Sequence, residues 1–226
     1  MPRRGKLIVL LGPVGVGKST IIGYLSQILK VRGFRTSTVF IKAFHGLAYM
    51  LWIFVAKLLG INIKKHYAPW FVIPKSGRIS LAKVLGIVSI YLDVFLSIPL
   101  KLAKVRLLKA IGHYVLSEEY LCSTLLDYMY PSFDSKASSR LVSIPMRVLN
   151  VLATKYAPDI TIVLTANFST LRHRWVMRGY GDPQPHYIVV QYTFLSKVNE
   201  ALIIDTTKMS VKEVLTKVLE IIQNTS

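Results

Sequence analysis

Apolar positions along the chain alternate between short continuous runs and longer stretches in which they recur every three or four residues. Continuous runs fall at residues 7–11, 37–41, 114–117, 161–165 and 201–205, and runs of this length predict strands buried on both faces of a parallel sheet. Between them the helical period dominates. Residues 19–32 carry Ile21, Ile22, Leu25, Ile28 and Leu29 on one face, with Gly33 as the stop. Further helices are predicted at about 46–59, at 81–110 with a break or kink around Pro99, after Ser123, at 141–156, 169–178 and 188–199. Ser210 and Glu213 have capping-box spacing ahead of a last amphipathic helix. Residues 60–80, with Pro69, Pro74 and Gly77, predict an irregular loop or lid; 131–139 and 179–185 predict loops. Five strands alternating with helices predict an α/β fold: a five-stranded parallel sheet flanked by helices in three layers.

The stretch between the first strand and the first helix carries chemistry. Gly12-Pro13-Val14-Gly15-Val16-Gly17-Lys18-Ser19 spells G-x-x-x-x-G-K-S. Glycines at this spacing let backbone N–H groups turn inward on an anion, and the following helix N-terminus adds partial positive charge. Lys18 is a point charge for β/γ-phosphates and Ser19 a hydroxyl for Mg²⁺, with Thr20 next in the helix. A P-loop NTPase fold follows, using ATP and Mg²⁺. The chain reads as one domain, 1–226, with an apolar and basic helical insertion at about 44–112 and an arginine-bearing lid at about 172–187.

Charge changes the picture of the insertion. The formal net charge is +18, and no Asp or Glu precedes Asp93. Such a basic portion suits polyanionic substrates, an anionic membrane surface or nucleic acid; we read most of it as a solvated face. Residues 44–63 and 84–100 are apolar enough to raise the question of membrane spans. Each contains charged or polar positions and lies between strands that must pair, so buried helices lining an oligomer interface are the expectation. The single cysteine, Cys122, and the absence of a signal-peptide pattern fit a cytoplasmic setting.

Further candidates lie at strand ends, where open α/β sheets place their ligands. Lys42 follows the second strand. Glu118 follows the third, where a carboxylate can hold Mg²⁺ or its water shell, or simply form a solvated pair with Glu119. Arg172, Arg174 and Arg178 precede Gly179, and 174 and 178 share a helix face. They suit a clamp on a transferring phosphoryl group; a plain basic face is the other reading. Asp205 and Thr206 follow the fifth strand, where a purine ring can rest. The five histidines have no metal-ligand spacing.

These motifs, together with Glu118-Glu119-Tyr120 and the R-x-x-x-R-G of Arg174 to Gly179, resemble the thymidylate kinase group of nucleoside monophosphate kinases. The resemblance implies Mg-ATP-dependent phosphorylation of a nucleoside monophosphate by a helix-mediated homodimer. Lys18 and Ser19 would then serve ATP and Mg²⁺, Arg174 and Arg178 the lid, and Lys42, Glu119, Tyr120 and Tyr128 the acceptor side. Glu119 stands where the group has a phosphate-holding arginine, and Asp127-Tyr128 replaces an aromatic–glutamine pair. The alternative is a P-loop ATPase or nucleotide-binding module with a drifted acceptor site, acting through its basic surface on nucleic acid, membrane or a protein partner.

Overall fold

The computed structural model describes residues 5–62, 69–129, 136–179, 185–196, 198 and 200–225. β1 (Leu7–Leu11) leads through a glycine-rich loop into α1 (Lys18–Val31) and β2 (Thr36–Val39). A helical segment follows: α2 (Leu47–Leu58), α3 (Pro69–Lys75), α4 (Ile79–Leu92), a π turn (Asp93–Ser97) and α5 (Ile98–Ala110). Next come β3 (Tyr114–Ser117), α6 (Leu121–Met129), α7 (Lys136–Lys155) and β4 (Ile160–Thr165). The chain closes with α8 (Phe168–Met177), α9 (Pro185–Leu195), β5 (Leu202–Asp205) and α10 (Val211–Asn224).

All five strands pair in parallel in the order β2-β3-β1-β4-β5. β1 lies at the centre, and its five apolar residues are all buried. Its alternation divides the core. Leu7, Val9 and Leu11 point to the layer holding α2 and α4 to α7, whereas Ile8 and Leu10 face α1 and α10. The Ser210–Glu213 capping box that opens α10 is present. Asp159 fastens one end of the sheet: its Oδ2 accepts from the Leu7 N–H and from Lys109 Nζ, each at 2.6 Å.

Two expectations need correction. Residues 69–75 and 79–80 are helical rather than irregular, because Pro69 suits a helix start and Ile73 and Trp70 find an apolar partner in the core. The break foreseen at Pro99 is a π turn at Asp93–Ser97. Pro99 lacks an N–H, and its ring crowds the carbonyl four residues earlier, that of Phe95, so the turn widens instead of ending. In the single chain the two apolar segments are helices buried on one side, α2 through Ala48, Trp52 and Ala56 and α4 through Leu85, Ser89 and Ile90. In the most apolar window of the helix from Ile79 to Ala110, long enough to cross a membrane, only 39% is buried. Residues 131–135 of one expected loop and 180–184 of the expected lid lie outside the described residues; 136–139 begin α7.

Candidate active site

Three glycines shape the loop after β1. Gly12, Gly15 and Gly17 have φ of 136°, 88° and 107°, a region where a side chain strains the backbone. Gly17 caps α1 without a side-chain hydrogen bond, so the first amides of α1 border the site with no side-chain acceptor. Here a cavity of about 220 Å³ is walled on one side by Gly15, Gly17, Lys18 and Ser19 and closed on the other by Lys42, Glu118, Glu119 and Arg178. Sequence-distant residues thus converge at the carboxyl ends of β1, β2 and β3.

Lys18 is buried and folded back on its own loop, donating to the Gly12 and Pro13 carbonyls at 2.6 and 3.1 Å. Its ammonium also lies 3.2 Å from Glu119 Oε1. Lys42 approaches the same oxygen at 3.7 Å and Asp127 Oδ2 at 4.0 Å, so the two lysines share a buried carboxylate. Burial opposes charge on Glu119, yet Lys18 and Lys42 outweigh it and hold its pKa below the usual value. Burial lowers the Lys18 pKa despite Glu119. For Lys42 the carboxylates prevail over burial and raise it. Asp127 is raised by burial, which Lys42 only partly offsets. Tyr187 donates to Asp127 Oδ1 at 2.7 Å.

Ser19 Oγ donates to Glu118 Oε2, which puts a hydroxyl and a carboxylate side by side at the mouth of the cavity. Among the described residues no group of three or more His, Cys, Asp or Glu could hold a metal ion. A divalent cation would therefore need substrate oxygens beside Ser19 and Glu118. That donor set fits Mg²⁺, which keeps waters and takes one or two protein oxygens plus phosphates.

α8 leans on the loop from the other side. Arg174 reaches the Val16 carbonyl at 3.4 Å and the Thr206 hydroxyl and carbonyl at 3.2 and 3.1 Å. Trp175 donates from Nε1 to the Val14 carbonyl at 2.7 Å. Arg178 lines the cavity, whereas Arg174 is engaged beside it. Thr206 is buried behind the loop, and exposed Asp205 accepts from Thr207 while lining a separate cavity with Thr165, Asn167 and Tyr192. Val16 belongs to the core, and Thr20 lies in the first turn of α1.

Two candidates fall elsewhere. Tyr120 is in the core, its hydroxyl donating to the Tyr156 carbonyl, and burial drives its pKa upward. Tyr128 donates to Asp93 and packs on Phe44. Neither lines the cavity, because packing of the turn before α6, and of α6 itself, against the core points both rings inward. Asp127, Trp175 and Tyr187 were missed as contributors. Asp127 precedes Tyr128 by one position and so lies about 100° around α6 from it, toward Lys42. Trp175 follows Arg174 on a helix that reads as uniformly basic.

The architecture is that of an α/β P-loop protein of the nucleotide kinase-like type. Thymidylate kinase from Candida albicans superposes with a TM-score of 0.60 at 17% identity, over 98% of this chain and 92% of that one. The chain has a thymidylate kinase-like fold. No family model and no curated protein matches it by sequence.

Proposed function

We propose that the chain transfers the γ-phosphoryl group of Mg-ATP to a nucleoside monophosphate. The carrying observation is the convergence of the glycine loop, Lys18, the Ser19–Glu118 pair, Lys42 and Arg178 around one cavity. Loop amides and the α1 N-terminus cradle the β-phosphate. Lys18 exchanges Glu119 for β/γ oxygens. Ser19 and Glu118 would hold magnesium, which would supply neutralisation of phosphate charge. Arg178 faces the transferring group from the far wall, and Arg174 secures the loop to Thr206. Catalysis is by positioning and electrostatics, with no covalent intermediate.

Acceptor binding runs against Glu119. A phosphate about 4 Å from that carboxylate meets repulsion of about 4 kcal/mol at an effective dielectric constant of about 20. Lys42 answers it only by releasing Glu119. This geometry favours a second reading, a P-loop ATPase whose acceptor side has drifted. Radiolabelled ATP with a panel of nucleoside monophosphates at matched salt separates the two. Transfer to a monophosphate, enhanced in Glu119→Arg, supports the kinase. Hydrolysis without transfer selects the ATPase, and failure to bind ATP overturns both.

A further inference from the structure

The helical segment between β2 and β3 turns an apolar face outward. α2 buries Ala48, Trp52 and Ala56 and exposes Leu47, Met50, Phe54 and Leu58. These exposed positions are three and four apart, so they form one stripe. Beside it, joined through the Trp52 Nε1 to Ser89 Oγ hydrogen bond of 2.8 Å, the helix from Ile79 to Ala110 exposes Val84, Val88, Phe95, Leu96, Leu100 and Leu107. Val88 and Leu96 are eight positions apart, a rotation of about 80° in a regular α-helix. The extra residue of the π turn absorbs that rotation and keeps the stripe on one side. It runs for roughly 35 Å, and Phe54, Leu58 and Leu100 are 60%, 71% and 71% exposed. A helix apolar on every side belongs in a core or in lipid.

Charge decides what covers this face. Residues 44–117 contain ten Lys and Arg, and their one carboxylate is Asp93, which is fully buried. Lys57 and Lys104 are exposed on these helices, next to Leu58 and four positions from Leu100. A second copy packed through the same face would set these cations against their own kind, with no surface carboxylate of the segment to meet them. A nucleic acid would answer the cations and leave the leucines in water. An anionic bilayer surface answers both. Spanning is a different matter: β2 and β3, at either end of the segment, pair with each other, and the inner faces are committed to the core, α2 against α3 and α4, α4 against α7, and α5 against β2 and β3.

We propose that the outer face of α2 and of the Ile79 to Ala110 helix docks peripherally on an anionic membrane, its apolar side chains entering the headgroup–acyl boundary. This stands apart from the phosphoryl-transfer reading. The test is flotation of the purified full chain with phosphatidylcholine vesicles containing about one third phosphatidylglycerol, beside pure phosphatidylcholine vesicles. The expected result is co-flotation with the anionic vesicles, weakened by salt. Phe95→Glu with Leu96→Glu lowers it by about tenfold or more. Leu100→Gln, which changes no charge, lowers it less, and Val31→Glu on the opposite layer leaves it unchanged. Unaltered far-ultraviolet circular dichroism and melting temperature show that the variants are folded. Failure to float with anionic vesicles overturns the proposal, as does binding equal on both vesicle types. A stable dimer that Phe95→Glu with Leu96→Glu dissociates also overturns it and gives the face to a second copy.

Discussion

The indole of Trp175 lies against Gly15: a Cβ added to Gly15 would come within 2.8 Å of the ring's Cδ1. With the Nε1 bond to the Val14 carbonyl at 2.7 Å, α8 reads the conformation of the phosphate loop directly. Gly15→Ala has to strain a φ of 88° and push a packed ring aside, so a loss of about 1–3 kcal/mol is expected in chemical denaturation. Trp52 and Trp70 belong to the aromatic cluster around Phe44. The fluorescence change on adding ATP should therefore vanish in Trp175→Phe. A signal retained in that variant contradicts the coupling.

Lys18 and Glu119 form a buried pair, and breaking it exposes the cost of an uncompensated charge. Lys18→Met leaves Glu119 with Lys42 alone and should lower stability by about 3 kcal/mol without any nucleotide present. Combining it with Glu119→Gln should recover part of the loss. Strict additivity in the double-mutant cycle would mean that the two groups do not interact.

Magnesium dependence should reside in Ser19 and Glu118. Removing the metal with chelator should weaken ATP binding in the parent protein. Ser19→Ala and Glu118→Gln should each flatten that dependence, read by titration calorimetry with and without Mg²⁺. An unchanged metal effect in both variants would place the ion elsewhere.

Asp93 gives a pH signature. Burial pushes its pKa up to about 6, partly countered by hydrogen bonds from Tyr128 and the Phe44 N–H. Since the folded value is raised, the stabilisation is fully present below the unfolded value near 3.8 and is lost as pH rises through about 6. A shift of about two units corresponds to about 3 kcal/mol. The stability of the parent relative to Asp93→Asn should fall by about that much between acid and neutral pH, read by denaturation of both proteins at each pH.

Local spacing made much of this molecule legible. The loop from Gly12 to Ser19 is contiguous, and strand ends announced Lys42 and Glu118 by position alone. Periodicity found β1, whose residues are buried on both faces. What stayed hidden depended on rotation and partners. Tyr120 and Tyr128 share a segment with the site residues Glu119 and Asp127, but packing turns them into the core. Pro99 advertised a break, and only the surrounding helix could convert it into a π turn. Apolar runs between strands suggested burial. Their outward stripe emerges only once the sheet has taken up the inner face.

The central place of β1 has a consequence for biosynthesis. β1 pairs with β3 and β4, which both follow it in the chain, so it waits for about 150 further residues before it has both neighbours. At about 5–20 residues per second that delay is on the order of ten seconds or more. Meanwhile α2 and α4 leave the exit tunnel with oily sides uncovered. Until β4 is made, the glycine loop that follows β1 is carried by a strand with one flank unpaired.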